Sequence, residues 1–246
     1  IPAAQDASTQ WLDAAGDRSL YPGISNYLIG QNVLIVDGKG GKLTHLPNTG
    51  AINKAVLSLT YSMNKERQTF ADVEVQLSGF FEQNMRNWWT VNNNREQGLK
   101  QYFEALFNNS LEYTVDGELT NSNNLFQPVQ LKAKYTFAAT DDKAPPVQAA
   151  GINQILNLFV DRTDLLSPGK RKNRYEERDS FELEMEVHFA GLPMSIPAVI
   201  QSADDVQTPY FSITQRGQTS DDSTYKLNMR YKQYPLDLSL DEYAAF

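Results

Sequence analysis

Two segments alternate strictly between apolar and polar side chains, and this pattern constrains the fold more than any other feature. In residues 181–189 every odd position is apolar, and the even positions are Glu, Glu, Glu and His. In residues 225–232 the odd positions are again apolar, and the even positions are Lys, Asn, Arg and Lys. Because successive side chains of a β-strand point to opposite faces, each segment predicts a strand with one buried and one wet face. If the two strands are neighbours, acidic and basic side chains pair across them, and each pair contributes at most about 1 kcal/mol.

Further alternating segments predict an antiparallel sheet. Residues 55–63 and 70–78 are separated by a short polar segment, which is typical of a hairpin. An Asn-rich loop joins a second pair. Short connections and a wet face favour antiparallel pairing. The predicted strands are 55–63, 70–78, 111–116, 128–138, 181–190, 209–216 and 223–232. The predicted core is Leu57, Leu59, Val73, Val75, Leu77, Phe103, Leu131, Phe181, Leu183, Met185, Val187, Leu227 and Met229.

One convincing helix interrupts the strands. Apolar residues recur at three- and four-residue spacing from Leu99 to Phe107, after an Asn-rich N-cap, and predict an amphipathic helix near 95–107. A shorter, weaker helix is predicted over 152–160. Residues 33–36 and 42–46 flank a Gly-rich turn and predict a small hairpin. The predicted fold is therefore mainly β: an antiparallel β-sandwich-like domain with one amphipathic helix, preceded by a short β-hairpin.

Composition excludes several classes of function. The 246 residues carry a net charge of -8, which disfavours nucleic acid as a partner because phosphate binding needs clustered Lys and Arg. The sequence contains no Cys and only two His, so we expect no thiolate nucleophile, metal site or cofactor. No apolar run of about 18 residues is present, so no transmembrane segment is predicted.

Two candidate sites each have a simpler structural interpretation. Trp88 and Trp89 form either a sugar-stacking platform or, more simply, edge packing of a β domain. Trp11 and Asp13 would share one face of a strand, although Asp13 also suits a capping role near the chain start. No nucleophile elbow or nucleotide-binding Gly motif is present, so the sequence shows no self-contained enzyme site.

The first fifty residues resemble the end of a bacterial transglutaminase-like domain. The resemblance lies in residues 11–17 (WLDAAGD), 21–23 (YPG), 30–36 (GQNVLIV) and 42–47 (KLTHLP). In that family a papain-like Cys–His–Asp core ends in a strand reading roughly W-x-D-x-T. The resemblance implies that Asp13 is the acidic member of the triad, although Ala15 stands where the family has Thr. It also implies that the Cys and His lie upstream of Ile1, and an acidic residue alone only orients and stabilises an imidazole.

The resemblance predicts two parts: residues 1–50, the tail of a transglutaminase-like core, and residues 51–246, a β-rich C-terminal domain. The predicted function is that of a non-catalytic accessory domain for binding or scaffolding, in a periplasmic or secreted bacterial protein. Its predicted partners are the upstream core and N-terminal domain of the parent chain, and a protein or glycan ligand. The alternative is an independent extracytoplasmic β-sandwich module that binds carbohydrate or another surface ligand.

Overall fold

The fold is given by a computed structural model. It describes residues 31–37, 40–46, 53–66, 68–103, 113–137, 159, 175–177, 180–190, 205–221 and 224–239.

Strands make up most of the described elements, with two helices after the second hairpin. The first seven strands are β1 (Asn32–Asp37), β2 (Gly40–His45), β3 (Asn53–Met63), β4 (Thr69–Ser78), β5 (Tyr113–Thr120), β6 (Gln130–Phe137) and β7 (Tyr175–Glu177). The remaining strands are β8 (Phe181–Ala190), β9 (Val206–Gln207), β10 (Phe211–Asp221), β11 (Thr224–Gln233) and β12 (Leu236–Leu238). The helices are α1 (Phe80–Val91) and α2 (Arg95–Phe103).

Eight of the strands form one sheet in the order β5-β6-β4-β3-β8-β11-β10-β9. Every pair in it is antiparallel except β3 and β8, which run parallel with Asn53 beside Phe181. This parallel pair joins the antiparallel strands β3 to β6 to the antiparallel strands β8 to β11. β1 pairs with β2 and β7 pairs with β12 in two further antiparallel sheets.

The mainly β prediction is confirmed. The strands at 53–63 and 69–78 pair as the expected hairpin, and β5 pairs with β6 across the Asn-rich loop. All thirteen residues of the predicted core are buried. The sandwich arrangement and the division at residue 50 stay predictions, although β1 and β2 do form the expected hairpin.

The helix α1 is not among the helices predicted from sequence. Apart from Phe159, the weaker helix predicted over 152–160 lies outside the described residues. Residues 95–103 of the predicted helix are helical, and residues 104–107 lie outside the described residues. Phe81, Met85 and Trp89 lie four residues apart along α1 and are buried. This spacing is typical of an amphipathic helix, and it is the signal from which α1 could have been predicted.

Asn53 and Gly79 set the direction in which α1 leaves β4. Gly79 has φ 65°, a conformation that favours Gly, and a Cβ there would lie 2.1 Å from Asn53 Oδ1. The backbone N–H of Phe80 donates to that same oxygen at 3.1 Å, and Asn53 Nδ2 donates to the Ser180 carbonyl at 3.1 Å. One side chain therefore links β3, the start of α1 and the start of β8.

Helix α2 packs on the apolar face of the sheet at its β5 end, and α1 packs on the same face over β3 and β4. A Cβ on Gly117 would lie 2.9 Å from Leu99 Cδ1 and 2.8 Å from the Lys132 carbonyl oxygen, so only Gly permits this close approach of α2. Tyr135 Oη donates to the Leu99 carbonyl at 3.1 Å, and its ring meets Phe103 edge-on. The opposite side of the sheet carries charged side chains, and we call it the charged face.

Candidate functional site: the charged face and its outer strand

Of the three site residues predicted from sequence, the structure describes Trp88 and Trp89. Asp13 lies outside the described residues. Trp89 is 5% exposed, and the Arg95 guanidinium lies 4.7 Å above its ring. Trp88 is half-buried, with its ring centroid 5.0 Å from that of Tyr102. The two Trp residues therefore pack α1 against α2, and Trp89 offers no open ring face to a sugar.

The centre of the charged face is a ladder of ion pairs between β8 and β11. Arg230 contacts Glu182 at 2.9 Å and Glu184 at 3.3 Å, and Lys232 contacts Glu182 at 3.2 Å. The register that brings these residues together confirms the pairing expected from the two alternating segments. Lys54 of β3 extends the ladder to a third strand, since its Nζ lies 2.8 Å from Glu184 Oε2.

The ladder lowers the pKa of two of its carboxyl groups. Hydrogen bonding from Arg230, followed by that from Lys232, lowers the pKa of Glu182 despite partial burial. Hydrogen bonding from His188 and then from Lys226 lowers the pKa of Glu186. The central charges therefore neutralise one another.

The two histidines lie on different sheets and have local partners. His188 on β8 hydrogen-bonds through Nε2 to Glu186 Oε1. His45 on β2 donates from Nδ1 to Asn32 Oδ1 at 3.2 Å, directly across the small hairpin. Each imidazole is thus bonded within its own strand or hairpin.

The outer part of the charged face is a groove of about 410 Å³ with an excess of acidic groups. Its charged lining residues are Asp72 and Glu74 of β4, Asp116 and Glu118 of β5, and Lys132 and Lys134 of β6. The register places them in two rows, Asp72–Lys134–Asp116 and Glu74–Lys132–Glu118. Lys132 lies 4.0 Å from Glu74, and Gln130 also donates to Glu74.

Asp116 and Glu118 differ from the acidic groups of the ladder. Both are exposed, and neither makes an ion pair or a side-chain hydrogen bond in the part of the chain that the structure describes. Their strand, β5, is the last strand of the sheet on that side among the described residues. This combination can bind a cationic group by charge and a polypeptide by backbone hydrogen bonding.

Sequence reasoning missed a buried charge that shapes the loop beside β5. Arg86 on α1 is 0% exposed and donates to Glu82 Oε1 from Nε at 2.9 Å and from Nη2 at 2.7 Å. Its other hydrogen bonds go to backbone carbonyls of the β5–β6 loop, at Asn121, Ser122, Asn124 and Gln127. Burial raises the pKa of Glu82, and Arg86 opposes that rise. The four-residue spacing of Glu82 and Arg86 beside an apolar helical face was the available signal.

Comparisons of the chain with protein-family models, with curated proteins and with solved structures find no match. The transglutaminase-like resemblance therefore depends on the sequence alone. Within the described ranges, no group of three or more His, Asp or Glu side chains is arranged to hold a metal ion. Neither described helix combines the length and apolar character that crossing a bilayer requires.

Proposed function

We propose that this chain is a non-catalytic accessory domain of an exported transglutaminase-like protein and that it acts by binding or scaffolding. The similarity of residues 11–47 to the end of such a core supports the parent family. Acyl transfer in that family uses a thiolate, and this sequence contains no Cys. The proposed partners are the upstream core and N-terminal domain of the same parent chain.

The observation that carries the non-catalytic assignment is the placement of the two imidazoles. A hydroxyl nucleophile in place of the missing thiol needs a general base within hydrogen-bond reach. His188 is bonded to Glu186 in the ladder, and His45 is bonded to Asn32 in the hairpin. Among the described residues neither imidazole is hydrogen-bonded to a hydroxyl group, and this supports a non-catalytic role for the chain.

An activity assay tests this assignment. The purified chain is incubated with an amine donor and a glutamine-containing substrate, and separately with a peptide library. We expect no turnover in either assay. Turnover that disappears in Asp13→Ala or His45→Ala, but persists in the matched surface variant Asp72→Ala, would contradict the proposal.

The parent gene and a binding measurement test the scaffolding part. We expect a Cys and a His in papain-like order to be encoded upstream of Ile1. The core encoded there, added to this chain as a separate polypeptide, is expected to form a complex in analytical ultracentrifugation. A reading frame that starts at Ile1, or a core that shows no association, would remove the proposed partner.

A further inference from the structure

β5 provides a long sheet edge at one end of the described strands. It pairs with β6 on one side over all eight of its residues, Tyr113–Thr120. On its other side, residues 114–120 have no strand partner among the described residues. Alternate residues of such a strand direct their backbone N–H and C=O groups away from the sheet. The opposite edge differs, because β9 has only two residues. β5 therefore offers the longer template for a further strand.

On the charged face, acidic β4, basic β6 and acidic β5 alternate in sign, and β5 is the last of these strands. In one row Asp72 of β4, Lys134 of β6 and Asp116 of β5 lie side by side, and in the next row Glu74, Lys132 and Glu118 do so. The central ladder follows the same rule, since acidic β8 adjoins basic β11 and their side chains close to ion-pair distance. A strand that continued this order beyond β5 would be basic.

A second copy of β5 does not satisfy this edge. In the antiparallel register centred on Gly117, Asp116 of each copy would lie opposite Glu118 of the other. Like charges directly across a strand pair are destabilising. In that register the acidic pair opposes self-pairing, and it favours a basic partner.

We propose that β5 binds an extended segment of a partner protein that carries Lys or Arg at alternate positions, and that this segment pairs with β5 as a ninth strand. Backbone hydrogen bonds supply affinity, and the basic side chains face Asp116 and Glu118 on the charged face. This inference rests on the proposed binding role and specifies the chemistry of the partner.

The test uses the full chain and a capped eight-residue peptide that alternates Lys with Val and Thr. Binding is followed at low salt by calorimetry and by backbone amide NMR shifts. We expect saturable binding, with shifts and slower amide exchange concentrated in residues 113–120. Binding should weaken as salt screens the charges. A matched peptide with Glu in place of Lys is expected not to bind.

Two variants with the same change in net charge separate strand addition from general attraction. Asp116→Lys with Glu118→Lys is expected to weaken binding of the Lys peptide by about tenfold or more, because two cross-strand attractions become repulsions. Asp72→Lys with Glu74→Lys alters the same face on the interior strand β4 and is expected to weaken binding by a much smaller factor. If the first variant does not fold, Asp116→Asn with Glu118→Gln is compared with Asp72→Asn with Glu74→Gln.

Three results would overturn the inference: no binding of the Lys peptide, equal weakening by the two double variants, or undiminished binding of a Lys peptide whose alternate amides are N-methylated. Such a peptide keeps its charge but cannot donate to a strand. These failures leave the amine-incorporation result untouched, so they remove the basic-strand partner without removing the non-catalytic assignment.

Discussion

The charged side chain of Arg86 is fully buried and has no contact with solvent. A buried guanidinium is tolerated when its N–H groups are all directed at acceptors, and Glu82 together with four loop carbonyls provides them. The consequence is that helix α1 and the β5–β6 loop depend on a single side chain.

Replacing Arg86 by Met is expected to lower the free energy of unfolding by about 3–5 kcal/mol, because it leaves Glu82 charged and unpaired in the interior. Adding Glu82→Gln to this variant removes the unpaired charge and should recover part of the loss. Urea denaturation measures both values. The exposed Arg95→Met serves as the control, with an expected cost of about 1 kcal/mol or less. A double variant less stable than Arg86→Met would show that this account of the pair is wrong.

A substitution of Trp88 distinguishes a packing role of this residue from carbohydrate recognition. Because its ring packs on Tyr102 and on Trp89, we expect Trp88→Ala to lower the free energy of unfolding by about 2 kcal/mol, less than for a fully buried Trp. We also expect a thermal-shift screen against oligosaccharides to show no response in the unmodified chain. A sugar-dependent shift that disappears in Trp88→Ala would instead support the carbohydrate-binding alternative.

The ion-pair ladder between β8 and β11 makes the stability of these two strands depend on pH in the acid range. Because the folded-state pKa of Glu182 and Glu186 lies below the ordinary value of 4.5, their contribution to stability is complete above that pH. It is lost as the pH falls below about 4.5 toward the lowered values. The urea midpoint should therefore fall on acidification, and Arg230→Ala should reduce this dependence.

The difference between the unmodified chain and Arg230→Ala is the informative quantity, since Glu82 acts in the opposite direction. Its raised pKa means that its contribution is complete below its ordinary value and declines as the pH rises toward the folded-state value. Equal pH dependence in the unmodified chain and in Arg230→Ala would show that the contacts of Arg230 with Glu182 and Glu184 do not stabilise the fold.

Across the whole molecule, the strands and the core residues can be predicted from alternating apolar and polar side chains, because each alternating pattern lies within a short segment. Leu183 and Leu227 share the buried face of neighbouring strands, and one-residue slips would have exposed every such side chain. Strand order is a different matter. The parallel contact of β3 with β8 depends on packing between distant segments, and no local pattern records it.

The candidate site, like the fold, is only partly predictable from the sequence. The charges at positions 116, 118, 132 and 134 are visible in sequence, but their arrangement in rows appears only when β4, β6 and β5 are placed side by side. The Arg86 contacts escaped prediction because their acceptors are backbone carbonyls 35–41 positions away, which have no side-chain signature.

The parallel seam between β3 and β8 has a consequence for how the chain folds. On one side of it, β3 to β6 and the two helices lie within residues 53–137, and on the other, β8 to β11 lie within residues 181–233. Each half forms its contacts between segments that are close in sequence. Pairing Asn53 with Phe181, in contrast, closes a long loop, and only the contacts between β3 and β8 offset the entropy cost of closing it. We therefore expect the halves to acquire structure first and their union to set the rate at which the complete sheet forms.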